Sequence, residues 1–517
     1  MKRTEDTPEQ LPGDPDAERP TDRSGGVNID GDAHVGGDVV GRDKITTVSV
    51  NKNVIQIGTL VMPTVPVAIA AVLVALVAIL AGLKLLGLTD PPGPARMPGG
   101  FNVAVAEFGK LDANGQVGAS DDGQRLSRAV FDTLQAQIAE FEDKAIGSRI
   151  IIWHDSLPRT QKGALIGIAA DETAAAGLAE RIGANIVIYG NLDPQNGFIP
   201  RFYVSPNVRA EIDALLTGDH QLGTQPIQVD PADRLITETE LATRASALTY
   251  LTIGLTYDVL GRAALALNTY REAETKLTAW PERGAGKEVL YFFRGQAALF
   301  SLQQARAQDI PNLDQEAEQA FRNALNANPQ YAKAHIGLGS VYFLRAQRTQ
   351  PASRLLQTQE LSNTLMEYGQ AFDLASQAGD IYVAAVATYA FGAAHYLEGI
   401  AYRDSGELDS AYGAFDESSQ RVGSALDPLR QSNQRRLLGQ AYHVLGLAYQ
   451  QQAEIRAEQE NVEQSRSLYR EASASFQACI DLGKDDPDII LRDLVINRRC
   501  APSLDKVNDA LAQLGGQ

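Results

Sequence analysis

One pattern constrains this chain more than any other. A small residue and an aromatic ring recur at set distances through a second half that reads almost wholly helical. In "LTIGLTYDVLGRAALALNTYREAETKL", Gly254 and Tyr257 lie about one turn apart, and Gly261, Ala266, Tyr270 and Ala273 follow. In "LEGIAYRDSGELDSAYGAFDESS" the equivalents are Gly399, Tyr402, Gly406, Ala411 and Phe415. The interval from first glycine to second-helix alanine agrees, 254 to 266 and 399 to 411. Elsewhere the two halves stand further apart. Gly339 and Tyr342 are matched with "YGQAFDLAS" and its Phe372, Gly446 and Tyr449 with Ala472 and Phe476, and Gly295 with Ala317, Phe321 and Ala324. Small residues suit a close helix crossing, and rings fill the gaps between one hairpin and the next. A single such hairpin leaves an apolar face bare, so hairpins of this kind must stack.

The spacing resembles the tetratricopeptide repeat (TPR), with L-G-x2-Y in the first helix and A-x3-F in the second. The resemblance covers 240–517, and "DPDIILRDLVINRRCAPSLDKVNDALAQL" reads as C-terminal capping helices. It implies an all-α superhelix acting as a scaffold, with a protein or peptide partner held in its concave groove. The glycines and aromatics named above are then structural and do not form a cofactor site. Asn268, Asn323 and Gln440 are candidates for groove-exposed positions. No set of Lys and Arg stands at inward positions to clamp a carboxylate, so the ligand class stays open.

A different grammar governs 101–235. "FNVAVAEFG" alternates as a strand does, and "DGQRLSRAVFDTLQAQIAEF" carries Leu126, Val130, Leu134 and Ile138 on one helical face. "SRIIIWHDS", "ANIVIYGNL" and "NGFIPRFYVSP" are further strands, and "DETAAAGLAERIG" is a helix stopped by Gly183. Alternating strands and helices predict one sheet with helices packed against it. Gly183-Ala184 and Gly190 are placed as in the N-terminal domain of TolB, which this region resembles; that family's domain is an interaction module. His154 and Asp155 are adjacent at a strand end. Neighbouring strand residues point to opposite faces, and no GxSxG or GxGxxG accompanies them, so a surface His near an Asp is expected rather than a catalytic pair.

Four N-terminal segments precede this region. Residues 1–24 are charged, carry proline and lack large apolar groups, so they are expected to be disordered. In 25–62, Gly36, Gly41, Arg42 and Asp43 mimic the spacing of a phosphate-binding loop. Such a loop opens a helix, whereas Ile45, Val48, Val50 and Ile57 continue as β pattern, and Asp43 would repel a phosphate. The segment resembles a glycine-rich "GGDVVGRDKI" element of multidomain bacterial proteins, which implies assembly and a homo-oligomer through 25–60. Residues 63–88 are expected to form a transmembrane helix, since the run is apolar all round and about 20 residues suffice to span a bilayer. Residues 89–100 are a Pro/Gly linker. Lys52, Lys84 and Arg96 are too few to fix the orientation.

The net charge of -18 and pI of about 4.9 leave no basic excess to neutralise nucleic-acid phosphates. Six scattered histidines and two cysteines without CxxC spacing offer no metal site. Cys479 and Cys500 can bridge in an extracytoplasmic setting, but two buried free thiols is the expected state. The sequence therefore predicts a single-pass, membrane-anchored, non-catalytic scaffold without cofactor. The alternative is a transmembrane sensor whose α/β domain binds a small ligand and signals through the N-terminal β segment.

Overall fold

The computed structural model describes residues 96–515 apart from short stretches, of which 207–213, 228–233, 305–308 and 485–490 are the longest. The expected tail, glycine-rich segment and apolar run (1–24, 25–62 and 63–88) lie outside the described residues. Among the described residues no helix is long and apolar enough to cross a membrane. The expectation of a single-pass membrane protein, and of the membrane as a partner, is therefore not supported by the structure.

The α/β region contains two sheets where one was expected. In the larger, β1 (Phe101–Val105) is central and parallel to β4 (Ile150–Trp153) and β5 (Ile186–Tyr189). β8 (Arg201–Val204) and β9 (Gly218–Gln221) extend it antiparallel, giving the order β4-β1-β5-β8-β9. The smaller sheet has the order β3-β2-β6-β7, from β2 (Gly109–Leu111), β3 (Val117–Gly118), β6 (Asn191–Asp193) and β7 (Gly197–Phe198). Strands this short show no alternation, which is why the sequence hides the second sheet. β9 reads "GDHQ" and has no β-forming residue to announce it.

Helix α1 (Asp121–Glu140) begins where Ser120 accepts from the Gly123 amide at 3.1 Å, and it buries Leu126, Val130, Phe131, Leu134 and Ile138 on one sheet face. A short turn of helix, α2 (Lys144–Gly147), follows. On the other face α3 (Glu172–Ile182) is capped by Asp171 and stops at Gly183, whose φ of 71° suits a residue without Cβ.

Beyond the sheets the chain forms a helical, TPR-like superhelix of hairpins. They are α4 (Arg234–Val259) with α5 (Ala263–Lys276), α6 (Lys287–Gln304) with α7 (Ile310–Ala327), and α8 (Ala332–Arg348) with α9 (Gln359–Ala378). Then come α10 (Ile381–Ser405) with α11 (Leu408–Gln431), and α12 (Arg435–Glu458) with α13 (Val462–Gly483). A π-helical run, Leu491–Cys500, and α14 (Ala501–Gly515) close the end.

Each hairpin crosses at a first-helix glycine laid against a second-helix ring: Gly254 on Tyr270, Gly295 on Phe321, Gly339 on Tyr368, Gly399 on Phe415 and Gly446 on Phe476. Ala266, Ala411 and Ala472 are wholly buried beside these crossings, and Tyr257 and Tyr342 are buried while Tyr402 and Tyr449 are half-buried. One partner differs from expectation. Phe372 is exposed and Tyr368, one turn earlier, meets Gly339. The 3-10 turn Ala352–Gln357 lies between α8 and α9, so no fixed spacing ties Gly339 to one ring of α9. A second correction concerns the cysteines: Cys479 and Cys500 are joined as a disulfide. The π-helical run folds back on α13 and brings their Cα atoms to 6.3 Å, within bridging reach.

Asp258 shows how tightly the first crossing is sealed. Its Oδ2 accepts from the Tyr270 hydroxyl at 3.2 Å, but its Oδ1 is buried without a partner, and burial pushes the carboxyl well above its ordinary range. A carboxyl raised in the folded state contributes stability below its unfolded pKa and loses it as pH rises through the folded value. Asp258→Asn is therefore expected to raise the melting temperature at pH 8 and to change it little at pH 4. A variant no more stable than the parent at pH 8 would contradict this account.

Candidate functional site

The first helices of the hairpins form the inner layer of the superhelix. They pack directly on one another down the array, α4 on α6, α6 on α8, α8 on α10 and α10 on α12, while second helices pack chiefly against first helices. Crowded first helices place the concave side along α4, α6, α8, α10 and α12.

Part of that inner side is already occupied by the chain's own α/β region. Residues 216–227, comprising β9 and its flanks, reach across several hairpins. Lys333, at the start of α8, directs its ammonium at the carbonyls of Thr217 (3.4 Å) and Asp219 (3.3 Å). Gln434, which caps α12, donates to the Thr217 hydroxyl at 2.9 Å. Arg244 of α4, only 1% exposed, donates to the carbonyls of Leu222 (2.8 Å) and Gln225 (2.9 Å). The Gln225 amide donates to the Gly284 carbonyl, and Gly223 (φ 102°) packs so closely there that a Cβ would lie 2.6 Å from that oxygen.

Apolar contacts complete the junction. His220 stacks on Phe202 with centroids 4.9 Å apart and meets Phe293 of α6 edge-on at 5.1 Å. Its Nε2 donates to the Leu216 carbonyl, and burial holds the ring well below its ordinary pKa, in the neutral form. Helix α1 packs along α4, where Gln137 donates to Ser246 at 2.6 Å, and Tyr257 donates to Asp143 at 2.8 Å. One hydrophobic core runs without a break from β1 to α12.

The junction is charged as well as apolar. Asp219 accepts from the Tyr189 hydroxyl at 2.5 Å and pairs with Arg201. Burial raises the Glu172 carboxyl, with Asp219 and Asp380 adding to the effect, and burial lowers the Lys333 ammonium against the pull of Asp380, Asp219 and Glu172. Three carboxylates thus surround one buried lysine where α3, β9, α8 and α10 converge. Sequence reading missed these residues. A lone lysine in "YAKAHIGLG" was the available signal, the one cation on an otherwise small and apolar helix start.

The groove candidates separate on inspection. Asn268 and Asn323 lie on second helices, α5 and α7, bonded to Arg271 and Gln319, and so belong to the outer layer. Gln440 lies on a first helix, α12, and is half-buried. On α10 next to it Tyr382, Tyr389 and Tyr396 recur every seven residues and are half-buried, and burial pushes the Tyr389 hydroxyl up to about 12.

His154 is buried rather than on the surface, with Nε2 3.1 Å from the Ser127 hydroxyl and Nδ1 2.8 Å from that of Ser156. Asp155 turns away and accepts from the Ile166 and Gly167 amides. Open parallel sheets bind ligands beyond the carboxyl ends of their strands. Here β2 and β6 continue directly from β1 and β5 and pair over that ground, where a Cβ on Gly109 would lie 2.8 Å from the Asn191 side-chain oxygen.

No protein-family model matches this chain, and no curated protein matches it. Two solved structures are similar to about half of it. A thermophilic TPR protein of Thermus thermophilus shares 14% identity at a TM-score of 0.28, over 50% of this chain and 98% of that one. A monomeric mutant of IFIT1, solved with m7Gppp-AAAA, shares 17% identity at a TM-score of 0.24, over 52% of this chain and 60% of that one. The TPR-like assignment rests on the crossings described above, because likeness at these scores carries no further weight. Neither the TolB-like reading of the α/β region nor the glycine-rich element gains support from these comparisons.

Proposed function

We propose that the chain is a non-catalytic scaffold that binds a protein or peptide along its inner face, on α10 and α12. The supporting observation is that this inner face already holds an extended protein segment. Residues 216–227 are gripped largely through backbone carbonyls, by Lys333 and Arg244, with a glutamine on a threonine hydroxyl and aromatic rings around His220. Donors aimed at main-chain oxygens accept many sequences, and alternating pockets add selectivity. Beyond the occupied stretch the first helices continue as α10 and α12, with Gln440 half-buried on the latter. The sensor alternative has no comparable support, since β2 and β6 pair with each other just past the ends of β1 and β5. The charge of -18 disfavours the kind of ligand solved with IFIT1.

A photo-crosslinking residue at Gln440, with one at exposed Glu463 of α13 as the outer control, tests this reading in the protein's own cells. A polypeptide adduct from position 440 and none from 463 is expected. Equal adducts from both positions, or none from either, would remove the inner face as the binding surface.

A further inference from the structure

We propose that the Cys479–Cys500 bridge is a redox latch on the C-terminal cap of the array. Closed, it seats the π-helical run against the last hairpin; open, it releases that run and uncovers the apolar end of α12 and α13. The bridge joins the only two cysteines of the chain, and both are wholly buried. Over them lie Leu491, Val495 and Ile496, with Tyr442 of α12 and Ile480 of α13 beside them.

The run carrying Cys500 is the element least able to hold its own shape. π-Helical winding is rare and normally lasts a single turn, yet here it spans ten residues, Leu491–Cys500. External contacts must therefore impose it. Two come from glycines: a Cβ on Gly439 would lie 3.0 Å from Leu491, and one on Gly483 would overlap Ile496. The third is the covalent bond at the run's last residue. Without that bond the run is free to rewind toward α-helix, which would turn Arg498, Arg499 and the attached α14 relative to α13.

The chemistry is thiol–disulfide exchange. A thiolate of an external dithiol attacks one sulfur, forms a mixed disulfide and releases the other cysteine, which takes up a proton. The second thiolate of the dithiol then attacks the mixed disulfide, frees the remaining cysteine, and leaves as the oxidised dithiol. Two electrons and two protons pass to the protein. Closure runs in reverse and needs a disulfide-bearing oxidant, so the latch closes in an oxidising compartment. Both sulfurs are out of reach in the folded cap, and exchange in either direction proceeds through local opening of that cap rather than global unfolding.

The full-length chain tests this in two steps. Denatured without reductant, it should take up no thiol label; two labelled cysteines would overturn the proposal. Hydrogen exchange of the native chain, with and without a dithiol, should then show amides of 491–515 exchanging about tenfold faster or more after reduction, with α6 to α8 unchanged. The double variant Cys479→Ala/Cys500→Ala should match the reduced form and ignore the dithiol. Equal exchange in oxidised and reduced protein would refute the latch.

Discussion

Gly399→Trp is expected to unfold the α10–α11 hairpin at a temperature where the remaining hairpins persist. The physical reason lies in a single distance. Even the first atom of a side chain there, its Cβ, would stand 2.6 Å from Cδ1 and Cε1 of Phe415, closer than real Cβ atoms come. An indole adds nine more heavy atoms at that crossing. Phe415 has little room to retreat, being wholly buried with Tyr396 5.5 Å away and Ile455 of the next hairpin in the same cluster. Overpacking a sealed core costs about 3 kcal/mol or more. Stacked repeats lose stability locally first, so the early melting should be confined to α10, α11 and the helices touching them. Gly413 supplies the control within the same hairpin. A Cβ there meets nothing within 4 Å, and Gly413→Ala should gain up to about 1 kcal/mol from helix propensity alone. Circular dichroism melts with residue-resolved hydrogen exchange decide the matter. A normal profile for Gly399→Trp, or a loss as large for Gly413→Ala, would show that the crossing is not where Gly399 places it.

The crossings were legible because they are local. Gly254 and Tyr270, or Gly399 and Phe415, stand 16 residues apart, and the hairpin geometry that joins them fits inside one repeat. Between α8 and α9, where an irregular stretch intervenes, the spacing did not single out Tyr368 from Phe372 one turn later. The α/β strands with branched residues were legible for the same reason, while β9, made of Gly-Asp-His-Gln, was not. The junction was illegible altogether. Lys333 meets Thr217 at a separation of 116 residues and Gln434 meets it at 217, and such pairings are products of superhelical curvature rather than of any local pattern. His154 failed differently: a strand end signals neither burial nor exposure, and Ser127 on α1 decided it.

That junction leads to the second large effect. A fragment starting at 234 is expected to aggregate, although it contains every helical hairpin. The array looks independent in sequence, but its inner face at α4 and α6 is finished by the α/β region. Removing that region strips cover from Leu241, Leu248, Phe292 and Phe293, all buried in the shared core. Each large apolar side chain returned to water forfeits roughly 2 kcal/mol, and the bared surface becomes a contiguous apolar patch of the kind that drives association. Polar losses add to this. Arg244 loses both carbonyls and keeps only Glu240, and Lys333 loses both of its own. Size-exclusion chromatography and binding of an apolar dye read the outcome: the fragment should elute as large species and bind dye strongly, while the chain from residue 96 does neither. A monodisperse 234–517 fragment that melts where the longer chain melts would show that the α/β region merely rests on the array. In that case the inner face would be open along its whole length, and the partner surface would extend to α4.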